Sequence, residues 1–400
     1  MACRQFSAIG KTTARRTRLV AEWKLRRLSG LAVFLVFCFA SLTVASEEPG
    51  AILDRAEAAA RKKMEELTAE GLPGALVGIV APSGEVRRFA VGVANLETGA
   101  TLRPDHTMRI GSVAKLFVAT LVLQLADEGR LDLDSPISTF VPGVPRGDAI
   151  TLRMLGTHGS GLFNPLADPA FRKQINVDPG ARRAFADIMT VLRRHEDTVV
   201  PGTSFSYSNA NTVLLARVVE AVTGRSLPEV METRIRQRFG VKSPIVPASA
   251  ALPDADLRGY RFGARTGAIE YGKVFFDATH FSASWAGAAG DMNATLDDLL
   301  RLAKPLAAGS TLNEESRAVL HGFETVAPGF EYGFHIARYG AAIGHAGDVP
   351  GFSSFLAWMP HRDLSIVVLC NLSNLADKSA PATIIGTSIV DALGSPSDER

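Results

Sequence analysis

The pattern of apolar and polar residues divides the chain into strand-rich ends and a helix-rich middle. Residues 51–71 carry apolar side chains at helical spacing and end at a glycine and a proline, which predicts a first helix. The runs 75–81 and 85–94 are rich in β-forming residues and are separated by Pro82-Ser83-Gly84. This arrangement predicts a β-hairpin.

Helical patterns dominate the centre of the chain. A helix is predicted over Val113–Glu128, and helical runs then alternate with Pro/Gly-rich loops to about residue 300. A last helix is predicted near 380–393, after four runs of strand character: Phe334–Tyr339, Ala342–Gly344, Phe352–Met359 and Leu364–Asn371. Strands at both ends therefore predict an α/β (α+β) fold, in which the two ends of the chain build one sheet beside an inserted helical lobe.

Composition narrows the class of protein. The 400 residues are 46% apolar and 21% charged, as in an ordinary globular protein. The net charge of +2 is misleading, because residues 1–45 hold eight Lys/Arg against one acid; without that excess of seven the remainder carries −5. A mildly acidic body gives no electrostatic reason to expect nucleic-acid binding.

The first 45 residues have the pattern of an export segment. A long basic stretch precedes residues 28–45, which are free of charge, and small residues at Thr43 and Ala45 suit cleavage after Ala45. Eighteen uncharged residues also reach the short end of what spans a bilayer, so a retained membrane anchor is the alternative. Either way, residues 46–400 are expected outside the cytoplasm, periplasmic or extracellular, as a single domain.

The first chemical signal is Ser112-Val-Ala-Lys115, directly before the apolar run of a predicted helix. Residues three apart on a helix lie on nearly the same face, so the two side chains can touch. A buried lysine with a lowered pKa can take the proton of a serine hydroxyl and activate it as a nucleophile. Among ten lysines, only Lys115 has a serine three residues before it. A helix N-cap serine beside a solvated lysine is the alternative interpretation of this motif alone.

Two further motifs carry polar groups that suit the same chemistry. Tyr207-Ser-Asn209 follows a Pro/Gly-rich stretch and can direct a phenol and an amide into one cleft. Gly344-His345-Ala-Gly347-Asp348 lies between two strand-like runs, and its Gly347 would let a strand edge approach a ligand closely. The adjoining backbone N–H could complete an oxyanion hole.

Other chemistries lack their sequence patterns. No Gly-x-Ser-x-Gly elbow, His-Glu-x-x-His zinc motif or complete phosphate-binding loop is present, and no metal constellation or cofactor is indicated. Cys370 is the one cysteine after residue 45, within a run that is typical of a buried strand.

Together the three motifs resemble the serine β-lactamase and penicillin-binding family, in the branch of class C β-lactamases, D-alanyl-D-alanine peptidases and β-lactamase-like esterases. The resemblance covers residues 52–394 and includes Thr157-His-Gly-Ser-Gly-Leu162 and Trp285-Ala-Gly-Ala-Ala-Gly290. It implies a β-lactamase/transpeptidase-like fold, with an antiparallel sheet flanked by helices and an all-helical lobe. It also implies a serine hydrolase that forms an acyl-enzyme with a small-molecule or peptide substrate.

The resemblance assigns roles to individual residues. It implies that Ser112 is the nucleophile and that Lys115 and Tyr207 share proton transfer. Asn209 would orient the substrate, and His345 and Gly347 would occupy the third motif. The backbone N–H groups of Ser112 and Asp348 would form the oxyanion hole.

Two residues depart from the pattern of β-lactamases. His345 stands where those enzymes usually have a lysine, and a histidine is mostly neutral at pH 7. Attraction for a substrate carboxylate is then weaker, which favours esters, amides or D-amino peptides over β-lactams. Asp348 would place a carboxylate at the oxyanion hole, so we expect its side chain to turn away from the site. These departures leave open a second hypothesis, a catalytically silent protein that binds cell-wall fragments or a protein partner.

Overall fold

The computed structural model describes residues 49–243, 245–247, 249, 251–263, 270–271 and 275–394. The predicted export segment 1–45 lies outside these residues. Within them the α-helices are α1 (Pro49–Ala69), α2 (Ala114–Asp127), α3 (Leu152–Gly156), α4 (Pro169–Val177), α5 (Phe185–Arg194), α6 (Asn209–Thr223), α7 (Leu227–Met231), α8 (Gln237–Phe239), α9 (Leu296–Ala307), α10 (Glu314–Leu320) and α11 (Pro381–Leu393). None of the described helices is both long and apolar enough to cross a bilayer.

The strands lie mostly towards the two ends of the described chain. They are β1 (Gly74–Val80), β2 (Val86–Gly92), β3 (Met108–Arg109), β4 (Tyr260–Phe262), β5 (Glu270–Tyr271), β6 (Phe275–Asp277), β7 (Asn293–Ala294), β8 (Glu324–Ala327), β9 (Phe330–Tyr332), β10 (Ala337–Tyr339), β11 (Ala342–Val349), β12 (Phe352–Met359) and β13 (Leu364–Cys370).

One antiparallel sheet joins the two ends of the chain. Its eight strands run in the order β2-β1-β13-β12-β11-β10-β9-β8. The contact between the ends is the pairing of β1 with β13, in which Ala75 faces Cys370. Cys370 is fully buried there. The predicted fold class, an antiparallel sheet flanked by helices, is confirmed.

Helix α1 covers one face of this sheet because its apolar residues recur at intervals of three and four. Leu53, Ala56, Ala60, Met64 and Leu67 all lie on one side of the helix and are at most 4% exposed. They belong to one apolar cluster with α11 and with side chains of β1, β12 and β13.

Helix α2 lies in the larger apolar cluster on the other side of the sheet. Every residue from Ala114 to Leu125 is buried, and all but Lys115, Thr120 and Gln124 are apolar. Helices α6 and α9 pack against α2, and α9 also packs on β13. The N-terminal end of α2 is therefore fixed between the helical lobe and the sheet.

The middle of the chain is less purely helical than the sequence predicts. A short sheet of order β4-β6-β5 and a two-residue ladder of β3 with β7 interrupt it. Strands of two or three residues are too short to show an alternating pattern, which is why the sequence does not indicate them. For the same reason β8 and β9 are not predicted, and the strand expected over Phe334–Tyr339 is only Ala337–Tyr339.

The third motif lies within a strand and not in a loop between strands. Strand β11 continues through Gly344, His345 and Gly347 to Val349. A Cβ atom at Gly344 would lie 2.0 Å from the backbone oxygen of Leu356 on β12. Glycine at this position therefore permits close strand packing, although in the sequence it resembles a turn signal.

Candidate active site

Ser112 lies in a 3₁₀ turn, Gly111–Val113, that leads directly into α2. Its two neighbours are buried, whereas Ser112 itself is half-buried. Gly111 has a φ of +51°, and a Cβ atom there would lie 2.7 Å from the backbone nitrogen of Asp348. Glycine is thus needed before Ser112 so that the turn can approach β11 closely.

Lys115 is fully buried one helical turn from Ser112. Its Nζ atom lies 2.9 Å from Oγ of Ser112, 2.9 Å from Oδ1 of Asn209 and 3.0 Å from the backbone oxygen of Ala289. No carboxylate of the described residues pairs with this amine, and burial lowers the pKa of Lys115 well below its usual value.

These contacts fit a neutral amine. Such an amine has two N–H donors and one lone pair, and the oxygens of Asn209 and Ala289 can only accept. The two N–H groups therefore point to those oxygens, and the lone pair is left for the hydroxyl proton of Ser112. The geometry thus supports proton transfer from Ser112 to Lys115.

Tyr207 reaches the same serine from the segment before α6. Its hydroxyl donates to Oγ of Ser112 over 3.0 Å, and Nζ of Lys115 lies 4.9 Å from the centre of its ring. Burial raises the pKa of the Tyr207 phenol, so the hydroxyl carries its proton at neutral pH. The structure therefore brings the hydroxyl, amine and phenol of the first two motifs together at one point.

His158 contacts the segment that carries Tyr207 and supports its position. Its backbone oxygen accepts from the Ser206 N–H at 2.8 Å, and its Nδ1 atom accepts from Nδ2 of Asn211 at 2.8 Å. Its ring centre is 4.3 Å from that of Tyr207. Burial lowers the pKa of His158 well below its usual value, which keeps Nδ1 an acceptor. The sequence placed His158 in a supporting stretch but did not indicate this contact with Tyr207.

His345 points inward and is only 5% exposed. Its Nδ1 atom lies 2.5 Å from the backbone oxygen of Ala346, and its Nε2 atom lies 3.0 Å from the hydroxyl of Tyr332. Since a carbonyl only accepts, Nδ1 carries the proton and Nε2 accepts from Tyr332. Burial, with a smaller contribution from Lys115, lowers the pKa of His345 to about 3. The ring is neutral, and both of its nitrogens have protein partners.

Gly347 brings β11 against the nucleophile turn. A Cβ atom at this position would lie 2.1 Å from the backbone oxygen of Ile110 and 2.9 Å from the backbone nitrogen of Ser112. A Cβ atom built at Gly111 would likewise lie 2.7 Å from the backbone nitrogen of Asp348, so the backbone nitrogens of Ser112 and Asp348 lie at the same junction of the turn with β11. Donors in such a position can stabilise an oxyanion.

The side chain of Asp348 is exposed and lines a neighbouring cavity of about 710 Å³. Ser112, Lys115 and Tyr207 are not among its described lining residues, whereas Asp348, whose backbone nitrogen lies at the nucleophile turn, is one of them. Within the described ranges, no three His, Cys, Asp or Glu side chains are grouped as metal ligands.

The sheet, the helical lobe and the Ser-x-x-Lys centre with its facing tyrosine define a class, the β-lactamase-like serine hydrolases. The chain belongs to the Beta-lactamase family, whose sequence profile matches residues 56–386.

Individual relatives agree with this assignment. Esterase EstB of Burkholderia gladioli is 32% identical over 86% of this chain and 98% of its own length. Penicillin-binding protein 4 of Amycolatopsis lactamdurans is 29% identical over 48% of each chain, so this chain covers about half of that relative. The crystal structure of a D-stereospecific amidohydrolase from Streptomyces sp. matches with a TM-score of 0.72 and 27% identity, over 84% of this chain and 97% of the other.

Proposed function

We propose that the protein hydrolyses an ester, amide or D-amino peptide through an acyl-enzyme at Ser112. The observation that carries this proposal is the contact of Lys115 and Tyr207 with one serine oxygen, at 2.9 and 3.0 Å. Lys115 takes the serine proton, because its buried amine has a lone pair directed at Oγ. Oγ then forms a bond to the substrate carbonyl carbon, and the carbonyl electrons move to its oxygen.

The backbone N–H groups of Ser112 and Asp348 donate to that oxyanion. When the intermediate collapses, the bond to the leaving group breaks and the leaving group takes the proton from Lys115, with the Tyr207 hydroxyl as the relay. A water molecule then gives a proton to Lys115 and attacks the acyl carbon. When this second intermediate collapses, the bond between the acyl carbon and Oγ breaks, Lys115 returns the proton to Oγ, and the acid product leaves with Ser112 regenerated.

Asn209 is proposed to orient the substrate through its amide nitrogen. Its Oδ1 atom is occupied by Lys115, and its Nδ2 atom lies 3.5 Å from Oδ1 of Asn164. An amide nitrogen has two hydrogens, so one remains for a substrate carbonyl. His345 and Gly347 act by shaping this wall of the site, since the histidine ring has no unpartnered nitrogen to offer.

The substrate class follows from the neutral third motif and from the relatives. His345 supplies no positive charge, which disfavours the carboxylate recognition typical of β-lactamases. EstB is named as an esterase, and the Streptomyces structure as a D-stereospecific amidohydrolase. Esters and D-amino amides are therefore the first substrates to test.

The test compares the wild type with Ser112→Ala, using a fluorophosphonate probe and para-nitrophenyl butyrate. Labelling and turnover are expected in the wild type only. Equal labelling of both proteins would refute the proposal, and binding of cell-wall fragments without any turnover would favour the silent binding protein instead.

We further propose that residues 1–45 export the protein, either as a cleaved signal or as a retained anchor. The basic residues before the uncharged stretch 28–45 support this proposal. Expression of the full chain in a Gram-negative host, followed by fractionation and mass measurement of the N terminus, distinguishes cleavage after Ala45 from membrane retention. Recovery of uncleaved protein in the cytoplasm would contradict both forms.

A further inference from the structure

The cavity beside Asp348 combines an apolar wall with an excess of positive charge. Its apolar lining includes Ile175, Phe281 and Trp285. The charged residues along its lining are Arg172, Lys173, Arg261 and Asp348. Among the described lining residues, three cations stand against one carboxylate, so this part of the lining is positively charged even when Asp348 is ionised and favours an anionic occupant.

Arg261 on β4 is the cation best placed to hold that group. It is half-buried, and its guanidinium carbon lies 5.9 Å from the ring centre of Phe281. Among the described residues it makes no hydrogen bond or ion pair. By contrast, Arg258 three residues earlier donates to the backbone oxygen of Ala255 at 2.7 Å and lies 3.7 Å from Asp277.

Burial of an unpaired guanidinium carries a cost in free energy. Desolvation lowers the pKa of Arg261, and the carboxylate of Asp348 opposes this shift only partly. Asp348 lines the same cavity but lies beyond ion-pair distance of Arg261. A ligand carboxylate would supply the two acceptors that a guanidinium fork can bind and that none of the described residues provides.

We propose that this cavity binds the carboxylate of an anionic ester or amide substrate, with Arg261 as its anchor and Arg172 and Lys173 at the rim. The inference rests on the proposed acyl-enzyme function and names its substrate class. In this protein a cation on β4 would bind the substrate carboxylate, because His345 of the third motif is neutral.

The competing outcome is that the cavity prefers a positively charged substrate group. A substrate with a free ammonium group would pair with Asp348 and be repelled by the three cations. The charge balance of the lining disfavours this occupant, and the experiment includes it as a separate arm.

The experiment uses matched pairs of esters. Mono-para-nitrophenyl glutarate and para-nitrophenyl valerate differ by a carboxylate on the acyl side, and 3-carboxyphenyl butyrate and phenyl butyrate differ by one on the leaving-group side. In Arg261→Gln, kcat/KM for the carboxylate member of at least one pair should fall about tenfold or more, the loss expected for a charge-assisted contact. The neutral members should change less than about twofold, since the same contact is absent from them.

Two control variants sharpen the result. Arg301→Gln removes an exposed cation of α9 that does not line the cavity, and it should leave all four rates unchanged. Arg261→Lys keeps the charge and should retain part of the preference.

Three outcomes would overturn the inference while leaving the proposed function intact. One is equal loss in Arg261→Gln on charged and neutral esters; another is no carboxylate preference in either pair. The third is a higher kcat/KM for D-alanine para-nitroanilide than for the carboxylate esters, together with loss of that activity when Asp348 is replaced. Failure of the proposed function looks different, because then no ester shows Ser112-dependent turnover at all.

Discussion

Nζ of Lys115 and Oδ1 of Asn209 are joined by a hydrogen bond of 2.9 Å, although the residues lie 94 positions apart. The contact places a neutral amide, not a carboxylate, beside the buried amine. An amide oxygen orients the amine without adding the negative charge that would hold a proton on it.

This relationship predicts the effect of Asn209→Asp on the pH profile. A carboxylate beside Lys115 favours the charged amine, so the pKa of Lys115 should rise. The acidic limb of kcat/KM for para-nitrophenyl butyrate should then move to higher pH, with activity recovering as pH increases. Asn209→Ala is the control, since it removes the contact without adding a charge and should lower the rate without that shift. An unmoved limb in Asn209→Asp would show that Lys115 is not the group that titrates.

A second prediction concerns stability. The pKa of Lys115 lies below its unfolded value of 10.5, so between these two values the unfolded chain binds more protons than the native protein. The free energy of unfolding therefore rises with pH through that window and flattens above 10.5. In Lys115→Met, which keeps the length of the side chain, this contribution should be absent. Urea unfolding of both proteins from neutral pH to above 10.5 gives the difference curve, and parallel curves would contradict a buried neutral amine.

Tyr207→Phe separates the hydroxyl from the ring. The ring contact with His158 remains, so the free energy of unfolding should change by about 1 kcal/mol or less, the value of one hydrogen bond. The hydroxyl relay is lost, so kcat should fall about 100- to 10,000-fold with little change in KM. Thermal unfolding and steady-state kinetics on one preparation test both expectations. Unchanged kcat would remove Tyr207 from the proton path.

His158 is expected to act as a positioning residue for Tyr207. It has a φ of +57°, which asparagine tolerates better than most residues, and an asparagine oxygen can replace Nδ1 as an acceptor. His158→Ala should cost about 1–3 kcal/mol of stability, because buried donors lose their partner, and should lower kcat. His158→Asn should restore much of both. The contradicting result is a purely structural role. It is indicated if His158→Asn recovers stability and if His158→Ala has normal kcat at a temperature where that variant is fully folded.

The sequence predicts those parts of the site that depend on local geometry. Ser112 and Lys115 meet because a helix places residues three apart on one face, and the glycines of β11 mark a close approach even though the segment resembles a loop. Contacts between distant segments determine the tilted ring contact of His158 with Tyr207, the Tyr332 partner of His345 and the position of Arg261. No local pattern encodes those contacts, so only the folded structure reveals them.

Gly347→Ala tests whether the junction of β11 with the nucleophile turn is as tight as the structure indicates. A methyl group there would lie 2.1 Å from the backbone oxygen of Ile110 and 2.4 Å from Oγ of Ser354. Backbone must shift to admit it, so we expect a loss of about 1–3 kcal/mol in stability. The shift also moves β11 away from Ser112, and fluorophosphonate labelling should slow. Gly50→Ala is the matched control, because nothing lies within 4 Å of its added Cβ atom and alanine favours a helix. Normal labelling and stability in Gly347→Ala would show that β11 does not need a glycine at this position to form the site.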